Sequence, residues 1–224
     1  MTLTEIDSNL IQSDSGTLPS NLVAIAVMIN EDGIGQHSAI IIGVNRTYYL
    51  FHYTSEFISL ENNIPQGRWY YHKVLEAIPQ DESEAFLSHC ESISRDSRDI
   101  KYGFIFDGSY YRDGVYFSNS GLPEFSTCVG FCINVITGYL WDSDFLKIDD
   151  WDAEPIRGGF SDWYEQAKRE VPDLNEELYK THHKRIKPDE CTASAYITEL
   201  PVTKQAIDEI IADVRLAISQ KRII

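Results

Sequence analysis

Cys128 sits in the run Glu124-Phe125-Ser126-Thr127-Cys128-Val129-Gly130-Phe131-Cys132. Pro123 and Ser126 announce a helix start, which predicts Cys128 in the first turn of a helix over 127–139. There the sulfur meets backbone amides without intrahelical partners and the positive end of the helix dipole, an environment in which a thiol ionises easily. The same amides can hold the oxyanion of an acyl-transfer intermediate. The other fate for such a residue is a buried structural thiol. Cys132, one turn deeper on the same face, belongs to the core.

A thiol nucleophile needs a base, and the base needs an orienting partner. Six histidines are available: His37, His52, His72, His89, His182 and His183. His37 opens a β-rich run over 37–44, and His52 lies at the end of another over 47–53, with turn chemistry at Asn45-Arg46 between them. If Val44 faces Thr47, then Ala39 faces His52, and His37 becomes its diagonal neighbour on one sheet face. Two histidines on one face beside a helix-start cysteine make a Cys-His-His site. Chance spacing also produces such a set.

The elements that must position these residues read as an antiparallel meander of four runs, 22–29, 37–44, 47–53 and 68–78. The runs are apolar on both parities, as in a sheet covered on both faces. Helices are predicted over 81–94, 127–139, 160–171, 173–185 and 203–222, and aromatic strand and loop over 102–117. Residues 1–20 read as a polar N-terminal arm, with order beginning near Asn21. The core spans 21–155, and 156–224 form a C-terminal helical extension packed on it.

The histidine strand His-Ser-Ala-Ile-Ile-Ile-Gly at 37–43, Tyr-Tyr-Leu-Phe-His-Tyr at 48–53, the pair Tyr102-Gly103 and Ser-Thr-Cys-Val-Gly-Phe-Cys at 126–132 resemble the circularly permuted NlpC-like papain-fold enzymes. That group includes bacterial amidases and peptidases, lecithin:retinol acyltransferase-like enzymes and PPPDE-type deubiquitinase-like proteases. The resemblance covers roughly residues 21–140. It implies an α+β fold, a papain-like antiparallel sheet packed on a cysteine-bearing helix, with Cys128 as nucleophile, His37 as base and His52 as the third, orienting residue. Glu56 is the reserve for that third position, and His72, on the next strand, could approach the site, though the motif does not call for it. Thr127 and Val129 stand where the unpermuted relatives carry Asp and Ser around the cysteine.

Tyr102, Tyr110 and Tyr111 precede the cysteine helix and are the candidate substrate contacts; the alternative is a strand that packs its aromatic face on the core. The expected activity is a cysteine hydrolase of the peptidase or amidase kind, acting on a peptide or protein, a ubiquitin-like tail or a cell-wall peptide among them. Two alternatives stand beside it: a lipid or small-molecule acyltransferase of the same fold, and a catalytically inactive binding protein.

No cofactor and no metal is expected. Cys128 and Cys132 form a C-x3-C pair without zinc-knuckle spacing, His182 and His183 with Cys191 read as a solvated helix end, and the acids at 142–152 lack a calcium-loop pattern. Hydrophobic residues at 43% and aromatics at 12% are enough for a sizeable core, so disorder is excluded. Lys and Arg number 19 against 35 acids, a net charge of -16, which argues against nucleic acid and anionic membranes as partners. No membrane span and no signal peptide are seen, and the cysteines follow no disulfide framework. The expected location is the cytoplasm, or outside the cell by a signal-peptide-independent route.

Overall fold

A computed structural model describes residues 1–13, 18–65, 69–95 and 99–221. The expected strand start at Arg68, helix end at Arg222 and arm residues Asp14 to Gly16 lie outside the described residues.

The chain opens with α1 (Leu3–Asn9) and β1 (Ile11–Gln12), then β2 (Leu22–Ile29), β3 (Gly35–Val44), β4 (Thr47–Tyr53), β5 (Ile58–Asn62) and β6 (Tyr70–Val74). These six strands form one antiparallel sheet in the order β1-β6-β2-β3-β4-β5. After it come α2 (Ser83–Ser94), β7 (Lys101–Tyr102), β8 (Tyr110–Arg112), β9 (Val115–Phe117), β10 (Phe125–Ser126) and α3 (Cys128–Tyr139). The C-terminal third holds α4 (Gly159–Glu170), α5 (Glu176–His182), α6 (Pro188–Ser194) and α7 (Lys204–Gln220). The fold is therefore α+β, with seven α-helices among the described residues.

Local chemistry explains the central hairpin. Asn45 and Arg46 both take positive φ, 52° and 67°, the two-residue turn whose twist suits paired strands. Val44 pairs with Thr47 and Ile40 with Phe51, the register expected from the turn. Every second residue of β2 and β3 then faces one side. Val23, Ile25, Val27, Ile40 and Ile42 join the main core beneath the helices, while Leu22, Ala24, Ala26, Ala39 and Ile41 form a smaller cluster on the other face. A strand buried on both faces reads as continuous apolar sequence, as here.

Four expectations need correction. The N-terminal segment is no arm: Thr2 caps α1 with a capping box, Ile6 and Leu10 are buried, and β1 pairs with β6. The meander has a further strand, β5, beside β4. The 100–117 region does not extend the sheet. β7 pairs with β10 in parallel and β8 with β9 as a hairpin, each a separate two-stranded unit. Finally, only α4 and α5 behave as an extension, around their own cluster at Tyr164 and Tyr179. Cys191 and Ala193 of α6, with Val214 and Ile218 of α7, are part of the main core. The helix start Pro188-Asp189-Glu190, proline at its first position with acids following, was the missed signal for α6.

Candidate active site

α3 begins at Cys128. Its cap is Thr127, not Ser126, which ends β10; the Gly130 amide donates to Thr127 Oγ1 at 3.1 Å. An extended Thr127 satisfies one orphan amide and turns the chain so that Cys128 faces a cleft of about 620 Å³. Cys128 is half-buried, whereas Cys90, Cys132 and Cys191 are buried.

Burial is the largest influence on the Cys128 thiol and pushes it above the ordinary range, against the amides of Ser38, Val129 and Cys128 that point at the sulfur. The helix start therefore does not leave a ready thiolate, contrary to expectation. At rest the residue is a thiol, and an acceptor must take its proton before it can attack.

The imidazoles form a chain. His37 Nε2 lies 2.8 Å from His52 Nδ1, and His52 Nε2 lies 3.0 Å from Glu61 Oε1. Glu61 was missed and Glu56 was the wrong reserve: Glu56 is exposed between β4 and β5, whereas Glu61 on β5 pairs with Leu50 and so shares the face of His52. The alternation Ile58-Ser59-Leu60-Glu61 after Tyr53 was the signal, too short to stand out.

This chain assigns the protons. An ionised carboxylate only accepts, so His52 Nε2–H donates to Glu61, and His52 Nδ1 accepts from His37 Nε2–H. With Nε2–H given to His52, the acceptor nitrogen of a neutral His37 ring is Nδ1.

Strand alternation decides where these groups stand relative to Cys128. Phe51 and Tyr53 pack on Phe131 of α3, at 5.1 and 6.2 Å between ring centroids, so His52 between them is directed to the opposite face. Likewise the Ser38 hydroxyl is turned toward Cys191, without a hydrogen bond of normal geometry, and His37 is turned the other way. The thiol meets β3 from the helix side at the Ser38 amide. The imidazole pair leaves the same strand one residue earlier, on its other side.

Of the three tyrosines, Tyr102 lines the cleft, its ring 4.4 Å from that of Trp163, and burial raises its hydroxyl. Tyr110 and Tyr111 do not line it. Tyr111 is fully buried, bonded to the Glu124 carboxylate, and its backbone packs against Gly138 at the far end of α3. Tyr110 stacks on Phe117 across the β8–β9 hairpin.

His72 faces Ser13 Oγ at 3.1 Å and is separated from β3 by β2, so it has no access to the site. His89 meets the Val135 carbonyl, and His183 meets that of Glu154. Among the described residues no three His, Cys, Asp or Glu side chains converge as metal ligands, and no helix is long and apolar enough to cross a membrane.

The cleft's far wall comes from residues that sequence reasoning did not single out. Arg185, Lys187 and Pro188 lead into α6, and Arg215 and Ile218 belong to α7. Comparison of the chain with protein-family models, with curated proteins and with solved structures gave no match.

Proposed function

We propose that the protein is a thiol hydrolase that cleaves an amide or peptide bond, with Cys128 as nucleophile and His37 as base, held in its tautomer by His52 and Glu61. The observation that carries this reading is a half-exposed thiol at the first residue of a capped helix, on a cleft, its sulfur at the amide next to a His-His-Glu chain. The order of elements, histidine strand before cysteine helix, is that of the permuted NlpC-like enzymes and supports the same assignment.

In this mechanism the Cys128 proton passes to His37 Nδ1 and the sulfur attacks the substrate carbonyl carbon. Amides at the start of α3 stabilise the oxyanion. The C–N bond breaks as His37 returns the proton to the leaving amine, and water, deprotonated by His37, then hydrolyses the thioester. Because β3 turns the His37 ring to the other side of the Ser38 backbone from the sulfur, the first transfer requires a bridging water or a turn of the His37 side chain.

A second reading rests on two specific observations: burial keeps the thiol protonated, and β3 turns His37 away from the helix side. In that reading the cleft binds its ligand without covalent chemistry. Incubation with p-nitrophenyl acetate separates the two by intact mass and turnover. The hydrolase acetylates at Cys128, turns over, and loses deacylation in His37→Ala. A binding protein reacts no faster than a free thiol, and that result would reject the proposal.

A further inference from the structure

The cleft at Cys128 runs against the charge of the chain. The net charge is -16, yet the wall formed by residues 185–188 includes Arg185 and Lys187. Both are exposed, and among the described residues neither forms an ion pair, while Lys73, Lys101, Lys147, Lys168, Lys204 and Lys221 each face a carboxylate. Arg215, the third cation of the cleft, is neutralised by Asp189. Asp32 is the remaining carboxylate of the lining, which leaves two cations against one acid.

Both cations line the same cleft as Cys128. Arg185 is close enough to Tyr102 to influence its hydroxyl, and the Tyr102 hydroxyl in turn lies within the field of Cys128. The guanidinium is held over the Phe160 ring, 5.6 Å from its centroid, which limits its freedom before any ligand arrives. An unpaired guanidinium and ammonium on one wall, with apolar Ile34, Phe104 and Ile218 around them, fit a ligand that carries a carboxylate beside apolar groups.

We propose that the Cys128 cleft recognises an acidic peptide, with an Asp, Glu or terminal carboxylate docking on Arg185 and Lys187. As a statement of substrate class this rests on the thiol-hydrolase reading; as a statement of binding it stands apart from it. It also reverses the simplest inference from composition, that an acidic protein selects a basic partner.

The test measures binding without turnover. The full chain carrying Cys128→Ala is titrated against rhodamine-labelled short peptide pools that differ only in having Asp/Glu, Asn/Gln or Lys/Arg at the variable positions, with fluorescence anisotropy as readout. The acidic pool is expected to bind roughly tenfold more tightly than its amide counterpart. That preference should vanish in Arg185→Ala/Lys187→Ala, whose fold is checked by circular dichroism, and shift to the basic pool in Arg185→Glu/Lys187→Glu. Equal binding of the acidic and amide pools, a preference that survives the double alanine variant, or no binding of any pool at millimolar protein would overturn the proposal. Failure of the hydrolase reading shows separately, as absence of acetylation at Cys128 in the unsubstituted protein.

Discussion

His37 Nε2 and His52 Nδ1 stand 2.8 Å apart, and the contact ends on a carboxylate, because His52 Nε2 is 3.0 Å from Glu61 Oε1. The His52 side chain is almost buried, while that of Glu61 is 34% exposed, so the acid is anchored at the solvent edge of the chain. The carboxylate fixes both tautomers without being buried itself.

The relay is therefore expected to be visible by nitrogen NMR of the histidine rings. In the unsubstituted protein, neutral His37 should carry its proton on Nε2; in Glu61→Leu the two tautomers should mix. If His37 is the base, His37→Ala lowers turnover by several orders of magnitude with the fold intact. His52→Asn or His52→Gln, which keep a hydrogen-bonding group, retain more activity than His52→Ala. Equal activity for all four variants, in folded protein, would remove the relay from the mechanism.

Alkylation reads the thiols directly. In native protein at neutral pH, iodoacetamide should label Cys128 and leave the buried Cys90, Cys132 and Cys191 intact by peptide mass analysis. Because burial pushes the Cys128 thiol up, the rate should keep climbing as pH passes the ordinary thiol range. The buried thiols are pushed up as well, Cys191 to about 12, so the folded chain prefers them protonated. Their contribution to stability is present below the ordinary thiol range and is lost as pH rises through the raised values.

His72 gives the opposite pH dependence. It is fully buried on β6, and burial lowers it from 6.5 to about 4. The unfolded chain takes up the proton first, so stability present above pH 6.5 declines as the pH falls toward 4, by on the order of 3 kcal/mol. Urea midpoints at neutral pH and near pH 4.5 check this. His72→Gln should flatten the profile, and an unchanged slope in that variant would assign the acid sensitivity elsewhere.

Gly138 tests the packing that holds α3. A Cβ there would lie 1.6 Å from the Tyr111 carbonyl oxygen, and the obstacle is backbone. Gly138→Ala, favourable for an isolated helix, is instead expected to destabilise the protein by roughly 3 kcal/mol as α3 and β8 are forced apart. A melting temperature equal to that of the unsubstituted chain would contradict the close approach.

What the sequence determined by itself was local. Asn45-Arg46 dictates a two-residue turn and with it the register that makes His37 and His52 neighbours, and the continuous apolar runs of β2 and β3 announce a sheet covered on both faces. A helix start near Cys128 follows from Pro123, Ser126 and Thr127, although which hydroxyl caps it depends on where β10 ends. Tertiary structure decided the rest, because it turns on residues far apart in the chain. Glu61 reaches His52 only once β5 pairs with β4. The cleft needs Arg185 and Lys187 brought to Cys128 by the segment ahead of α6, a helix that packs on β2 and β3 through contacts that have no local signature. Burial, a property of the whole fold, outweighs the helix-end amides and leaves Cys128 protonated. The side of β3 on which the thiol and the imidazoles stand is set by which face α3 covers, and a strand buried on both faces carries no polar alternation to reveal it.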